Sequence, residues 1–398
     1  MLETTSATAE RNPYWGVEWP AVRGLFRLDA GHAHLNHGSY GAVPQQVFEV
    51  QNEWRRRMDA NTTKFYRREL GPALEAARTA ISGHLGADAS GLTLVANATT
   101  AVCAVLGSFP LDAGDEILVT DHGYGATLMG ITRACVSTGA RMATISVPLN
   151  AAAEEITAAI LGGVTRRTRL AVIDHVTAST GRRFPVAQIV PELRQRGIAV
   201  FVDAAHVPGM LPVDIKALAP DFWAGNLYKW AFAPRAVAAL YVASKWRSAM
   251  RPLVVSWHEP DVYPHSFLQP GTADLSAVLA APAGWELLER LGLDRVRTHN
   301  AELAAYGQAA LIGALGLDAA TLPSDEGLSM RVVPLPVDHG TGYDFQAVVS
   351  DTLQTETAVN NWNGQTLMRV SAHIYNAPDE YDRLADGLPA LLRSVSKS

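Results

Sequence analysis

Residues 170–203 hold the reading that decides the fold. They run Leu170-Ala-Val-Ile173, then, after a polar stretch, Val186-Ala-Gln-Ile-Val-Pro-Glu-Leu-Arg-Gln-Arg196, then Gly197, then Ile198-Ala-Val-Phe-Val202-Asp203. The first and last runs are nearly all apolar, as strands covered on both faces should be. The middle one is helix-like and is closed by a glycine. Strand, helix and strand at these lengths make a βαβ unit, the building block of a parallel sheet. Leu92–Ala96 and Glu116–Thr120 are further strand-like runs upstream. Val47, Val50, Trp54 and Met58, and then Leu70, Leu74, Ala77, Ile81 and Leu85, recur at helical spacing. After about residue 285 the character changes. Glu286–Arg297, Asn300–Ala314 and Pro378–Ser394 read as helices, Met330–Leu335 and Leu367–Ser371 as strands. The fold class is therefore α/β: residues 35–285 form a large domain with a mostly parallel sheet, 286–398 a smaller α+β C-terminal domain, and 1–34 an N-terminal arm.

The chain has 398 residues, 48% of them apolar and 18% charged. That supports a large core and excludes disordered and collagen-like classes. Thirty-three Lys and Arg against 39 Asp and Glu leave a net charge of −6, with no bulk electrostatic reason to bind nucleic acid. The two cysteines, Cys103 and Cys135, exclude a disulfide scaffold and a cysteine-rich zinc site. No apolar run is long enough for a membrane span, and the first thirty residues lack a signal-peptide pattern, so the expectation is a cytoplasmic protein. Gly123-Tyr-Gly125 begins a dinucleotide fingerprint, but its sixth position is Leu128; no P-loop, H-E-x-x-H or G-x-S-x-G follows. His32 and His34 are the closest histidine pair and make a weak metal motif, so no metal is expected.

Three segments carry chemistry. In Val200-Phe-Val-Asp203-Ala-Ala-His206 an acid sits where an apolar strand ends, the place at which open α/β sheets bind ligands; alone, it also fits a turn cap. In Gly225-Asn-Leu-Tyr228-Lys229-Trp230 a single lysine stands among aromatic residues, a setting that desolvates an amine and makes it nucleophilic; alone, it also fits a snorkelling surface lysine. In Val95-Ala-Asn97-Ala98-Thr99-Thr100 small and hydroxyl residues leave a strand and open a helix, which makes either an anion site or an ordinary N-cap. Together, an anion site, a strand-end carboxylate and a lysine suggest pyridoxal phosphate (PLP): phosphate on the helix terminus, carboxylate on the pyridine nitrogen, and lysine on the aldehyde as a Schiff base.

These segments, in this order, resemble the class V aminotransferase family of fold-type I PLP-dependent enzymes, and within it the isopenicillin N epimerase-like branch. Asn36-His-Gly-Ser39-Tyr-Gly41, Asp203-Ala-Ala-His206, Lys229-Trp230 and Arg369-Val-Ser-Ala-His-Ile-Tyr375-Asn376 carry the likeness, which runs from about residue 35 to 385. The resemblance implies that Lys229 forms the Schiff base, Asp203 pairs with the pyridine nitrogen, His206 lies near the phenolic oxygen and Tyr124 stacks on the ring face. It implies that Ala98, Thr99, Asn226 and Tyr228 surround the phosphate. It further implies that the Gly271-Thr272 loop is contributed by the partner of a homodimer. It gives Arg369, with Asn36 and Ser39, to the α-carboxylate of an amino-acid substrate. Arg68 is a further candidate substrate contact.

The sequence departs from the family in three places. No cysteine follows Cys135, where desulfurases of the family use a C-terminal loop cysteine, so persulfide chemistry lacks its nucleophile. Ala178 stands where many relatives carry Asn, and Asn226 and Tyr228 where Ser and His are common. The branch also contains enzymes that process cysteine S-conjugates in natural-product biosynthesis, antibiotics included. The expectation is Cα deprotonation followed by β-elimination, a C–S lyase; epimerisation, and decarboxylation with oxidative deamination, stay open. Tyr66, Trp230, Trp257 and Tyr263 suit a bulky substrate, or equally the core.

Overall fold

The protein is described by a computed structural model over residues 22–258, 262–336 and 342–395. Residues 1–21 of the expected N-terminal arm lie outside the described residues. The chain divides into two compact units.

One unit comprises residues 47–178 and 183–286. Helix α1 (Gln45–Ala60) leads into it and is followed, after the π-helical turn Phe65–Glu69, by α2 (Leu70–His84). Then come β1 (Leu92–Val95), α3 (Ala98–Ser108), β2 (Glu116–Thr120), α4 (Gly125–Thr138), β3 (Arg141–Ile145), α5 (Ala153–Gly162), β4 (Thr168–Asp174), α6 (Val186–Gln195), β5 (Ala199–Asp203), β6 (Phe222–Asn226) and β7 (Ala238–Val242). Helix α7 (Ser276–Leu291) follows. The seven strands form one sheet in the order β1-β7-β6-β5-β4-β2-β3. Every pairing is parallel except the two made by β7, so β7 alone runs against the rest. The expected βαβ unit is β4-α6-β5; β5 is buried along its whole length, and Gly197 adopts φ 76° where the helix turns into it. The core joins the inward faces of the strands to α3 and α4, through Val102, Val105, Ile117, Val172, Phe201 and Leu240.

The other unit comprises the described parts of residues 22–46, 179–182 and 287–395. Its elements are α8 (Leu293–Leu315), β8 (Met330–Leu335), α9 (Gly342–Leu353), β9 (Ala358–Trp362), β10 (Gln365–Ser371) and α10 (Pro378–Val395). The strands form an antiparallel sheet in the order β9-β10-β8. Met368, Val370 and Ala372 pack with Leu303, Leu311, Leu384 and Leu388 of α8 and α10. A short parallel pairing ties Ala33–His34 to Thr355–Glu356. Where the sequence suggested a helix break near residue 298, the break falls at Gly292, whose φ of 83° stops α7 and starts α8.

Candidate active site

The topology gathers the predicted residues before any side chain is considered. Strands β1, β2, β4, β5 and β6 are mutually parallel, so their C-terminal ends share one edge of the sheet. Each end delivers something: Asn97 and the start of α3 after β1, Tyr124 and α4 after β2, Asp174 on β4, Asp203 on β5, and Asn226 followed by Lys229 after β6. This is the edge at which open α/β sheets bind ligands.

Lys229 lies on a single helical turn, Leu227–Trp230. Its Nζ is 3.0 Å from His206 Nε2, and Trp230 Nε1 donates to His206 Nδ1 at 3.4 Å. An indole N–H can only donate. His206 Nδ1 is therefore the acceptor of that bond, and Nε2 is the ring atom that meets the lysine amine. The chain after the lysine is held from two sides by glycines. A Cβ on Gly209 would collide with the Trp230 carbonyl, and one on Gly284 of α7 would stand 2.6 Å from Ala231 O. Between them Phe232 takes a φ of 58°, a conformation a bulky residue keeps only where its surroundings enforce it.

Asp203 is 4% exposed. It accepts from Thr127 Oγ1 at 3.2 Å and from the Ala205 N–H at 3.1 Å. Burial pushes its carboxyl up, while the Ala205 amide, the Lys229 charge and the Thr127 hydroxyl pull it back toward the ionised form. Its register partner on β4 is Asp174, equally buried. Burial and then the Asp203 charge hold Asp174 well above the usual carboxylate range. Next to it, burial lowers His175 to about 4.

The α3 terminus is partly committed. Asn97 Oδ1 accepts from Thr100 N at 2.8 Å, Asn97 O accepts from Ala101 N at 3.1 Å, and Asn226 Oδ1 accepts from Ala98 N at 2.9 Å. The Thr99 N–H is the first-turn donor left for an anion. Asn226 thus reaches the phosphate region by fastening the helix end. Tyr124 precedes α4 with its side chain 44% exposed.

Other predicted residues lie elsewhere in this unit. Thr272 is exposed on a loop pinned by Tyr66 Oη to Ala273 O (3.0 Å) and by Arg55 to Asp274 (2.9 Å). Arg68 is exposed in the π-helical turn. Trp230 and Tyr263 are core residues, 1% and 4% exposed, so they serve packing rather than a substrate surface.

In the other unit, the two outlying motif stretches come together although more than 300 residues separate them. Arg369 on β10 is 4% exposed and donates through Nη2 to Ser39 Oγ at 2.7 Å and Asn36 Oδ1 at 3.2 Å. Asn36 Nδ2 is in turn anchored on Thr357 O at 3.1 Å. Behind them Gly38 N donates to Ser371 Oγ at 3.3 Å, and His37 Nδ1 meets Tyr375 Oη at 2.7 Å. Burial drives the neighbouring His373 imidazole well below its usual range, helped by His37 and His299.

The sheet-edge residues fit pyridoxal phosphate. They offer an amine, a buried carboxylate whose charge is supported by three neighbours, and a helix terminus with a donor to spare. Sequence reading missed Asp174, Thr127, Gly209 and Gly284. Asp174 had a signal: like Asp203, it closes an all-apolar strand. Among the described residues, no group of three His, Cys, Asp or Glu side chains could hold a metal, and no helix is long and apolar enough to cross a membrane.

The chain is similar to known proteins over most of its length. The aminotransferase class-V family profile matches residues 39–384. The isopenicillin N epimerase of Streptomyces clavuligerus is 32% identical, over 94% of this chain and 98% of its own. An L-cysteine desulfhydrase of Arabidopsis thaliana is 28% identical, over 91% of this chain and 88% of its own. Among solved structures, the cystine C–S lyase C-DES in complex with cysteine persulfide superposes with a TM-score of 0.79 at 20% identity, over 90% of this chain and 97% of that one. Extended over nearly the whole sequence, these likenesses and the amine, carboxylate and helix terminus at the sheet edge make the chain a member of the class V aminotransferase family of PLP-dependent enzymes.

Proposed function

We propose that the chain is a carbon–sulfur lyase that cleaves an S-substituted cysteine in natural-product biosynthesis, as a cytoplasmic homodimer. The reading rests on a base held in place without a thiol to compete with it. Lys229 Nζ is held 3.0 Å from His206 Nε2. The only cysteines in the sequence, Cys103 and Cys135, lie within α3 and α4, and burial pushes the Cys135 thiol up, away from the reactive thiolate.

Bound at the sheet edge, PLP supplies the electron sink that stabilises negative charge at the substrate's Cα. Lys229, Asp203, His206 and Tyr124 hold its ring, and Thr99 with Ala98, Asn226 and Tyr228 its phosphate, with Thr272 supplied by the second copy. Arg369, its Nη2 held by Asn36 and Ser39, receives the α-carboxylate through its charge and its remaining N–H donors, and Arg68 meets the substrate's outer part. Lys229 Nζ takes the Cα proton. The Cβ–S bond then breaks, and sulfur leaves with the electron pair. One water balances the reaction to thiol, pyruvate and ammonium.

A second reading, epimerisation, is favoured by Tyr124, whose exposed ring offers a second acid for returning the proton, and by the two isopenicillin N epimerases among the relatives at 32% and 33% identity. Proton NMR of the holoenzyme in deuterated water with a bulky S-substituted cysteine separates the two. Pyruvate with free thiol supports elimination. Loss of the Cα signal without pyruvate refutes elimination and supports epimerisation, with Tyr124 the residue to mutate. If neither appears, elimination fails on that substrate and loss of the carboxylate with deamination is the reaction to assay.

A further inference from the structure

We propose that Tyr66 is a positioning residue for the loop that carries Thr272, so that each copy of the chain sets how firmly the other copy keeps its cofactor. The inference rests on the reading above that Thr272 serves the second copy, and goes beyond it in naming what holds Thr272 in place.

Residues 269–274 belong to no strand or helix, and among the described residues their backbone makes no hydrogen bond to other backbone. Gly271, at φ 116°, turns the chain immediately before Thr272, a conformation that other residues rarely adopt. Side chains hold this loop instead. Asp274 Oδ1 accepts from Ser276 N at 2.9 Å and ties the loop to the start of α7. From α1, Gln51 Nε2 donates to Ser276 Oγ at 3.3 Å and Arg55 Nε donates to Asp274 Oδ2 at 2.9 Å. The Arg55–Asp274 pair is half-exposed and contributes little. Tyr66 Oη donates to Ala273 O at 3.0 Å and so grips the backbone one residue from Thr272. Met58 Sδ also lies 3.0 Å from Oη. The hydroxyl has one proton, and a carbonyl accepts it better than a thioether does, so Ala273 takes the bond.

The π-helical turn gives Tyr66 a fixed seat. Leu70 N donates to Phe65 O across five residues, one more than in an α-helix. Positions five apart stand about 140° from each other around an α-helix. The wider turn lets Phe65 and Leu70 both be buried, with Tyr66 half-buried beside them. The Tyr66 ring meets Phe65 edge-on, with centroids 5.6 Å apart, and Phe65 meets Trp54 of α1 edge-on at 6.4 Å. Glu69 closes the turn from outside by pairing with Lys64 at 2.9 Å and Arg57 at 3.0 Å. The hydroxyl of Tyr66 thus projects from a rigid element of its own subunit onto a loop assigned to the other subunit's site. It takes no part in the chemistry. It restricts where Thr272 can stand, and a loop already held in its binding conformation loses less freedom when it meets a phosphate.

The test uses holoenzyme. Tyr66→Phe keeps the ring and removes one hydrogen bond. It is expected to release PLP about three- to ten-fold faster on transfer to PLP-free buffer, the worth of one neutral hydrogen bond. Two mixed dimers then separate the copies. In each, one copy carries Lys229→Ala, so visible absorbance reports only the site that keeps Lys229. With Tyr66→Phe on the Lys229→Ala copy, that site is expected to lose PLP as fast as the Tyr66→Phe homodimer does. With Tyr66→Phe on the copy that keeps Lys229, it is expected to lose PLP at the wild-type rate. A general loss of packing would show equally in both. Wild-type release from the Tyr66→Phe homodimer overturns the proposal, as does an effect that follows the Lys229-bearing copy or appears alike in both mixed dimers. Thr272→Ala in the same two dimers checks the reading beneath. If it acts on its own copy's site or on neither, or if the protein is a monomer, Thr272 does not serve a second copy, and that reading fails together with the proposal. If it acts across copies while Tyr66→Phe has no effect, only the role of Tyr66 is refuted.

Discussion

Gly284→Ala tests how tightly the lysine's seat is built. Gly284 lies inside α7, and a Cβ there would stand 2.6 Å from Ala231 O, 2.8 Å from Phe232 C and 2.9 Å from Ala233 N. All three are backbone atoms, so no rotamer change relieves the overlap. Carbon and oxygen approach to about 3.3 Å at closest, so one partner must move by roughly 0.7 Å. Overpacking of this kind costs about 1–3 kcal/mol, and replacing glycine within a helix returns about 1 kcal/mol. The net cost is about 0–2 kcal/mol, and the variant folds. The displacement, however, falls two residues from Lys229. A misplacement of about 1 Å costs about 10²-fold in rate, so kcat/KM is expected to fall between about 10- and 10²-fold. The assay is pyruvate release, or Cα proton exchange, alongside visible absorbance and a thermal melt. Gly83→Ala is the control: it sits exposed in α2, with nothing within 4 Å of its added methyl, and should gain slight stability with unchanged kcat/KM. A folded Gly284→Ala variant within two-fold of wild type would refute the claim that this helix fixes the lysine.

Lys229→Ala is expected to abolish product formation and proton exchange alike, measured by NMR, because both need the amine. Arg369→Lys loses the fork held by Asn36 and Ser39; KM for the amino acid is expected to rise about 10-fold or more while kcat changes less, read from steady-state kinetics. Burial lowers His175 and His299 to about 4, so the unfolded chain binds protons that the folded chain refuses between about pH 6.5 and 4. The contribution of these two histidines to stability should therefore be lost as pH falls through that window, by up to about 1.4 kcal/mol per unit for each, and be constant above it. His299→Gln should remove its share of the slope in urea titrations.

What the sequence revealed follows from what burial does to composition. Strands β4 and β5 were legible because helices cover both faces, leaving almost nothing polar within them. Strand β3 was not, because it is the edge strand and two of its five residues are half-buried while the other three are exposed. Strands β6 and β7 hid behind small residues such as Gly225, Ala238 and Ala239, which are buried in the sheet without giving a strongly apolar run. The same logic divides the site. Asp203 stood out as a charge ending an apolar run, and Lys229 as a cation among aromatics. Asp174 ends its own run in the same way, yet its meaning depends on which strand lies next to it, and only the register with Asp203 supplies that.

The Arg369 cluster shows the limit most sharply. Asn36-His-Gly-Ser39 and Arg369–Asn376 could be recognised as patterns, but no local property of either explains why both exist. Asn36 and Ser39 fix the guanidinium, and Asn36 is itself fixed by Thr357 O. Ser371 holds Gly38, Tyr375 holds His37, and Asn376 Nδ2 donates to His34 O at 3.2 Å. Each stretch is thus the other's scaffold. Burying a guanidinium is costly unless its donors are met, and here the two acceptors of its Nη2 come from the opposite end of the chain. Replacing Asn36 or Ser39 should therefore weaken substrate capture through Arg369 even though neither residue carries charge, and Ser39→Ala, which removes the 2.7 Å acceptor and leaves the backbone alone, is the cleaner probe. An unchanged KM in Ser39→Ala would mean that Asn36 holds the guanidinium by itself.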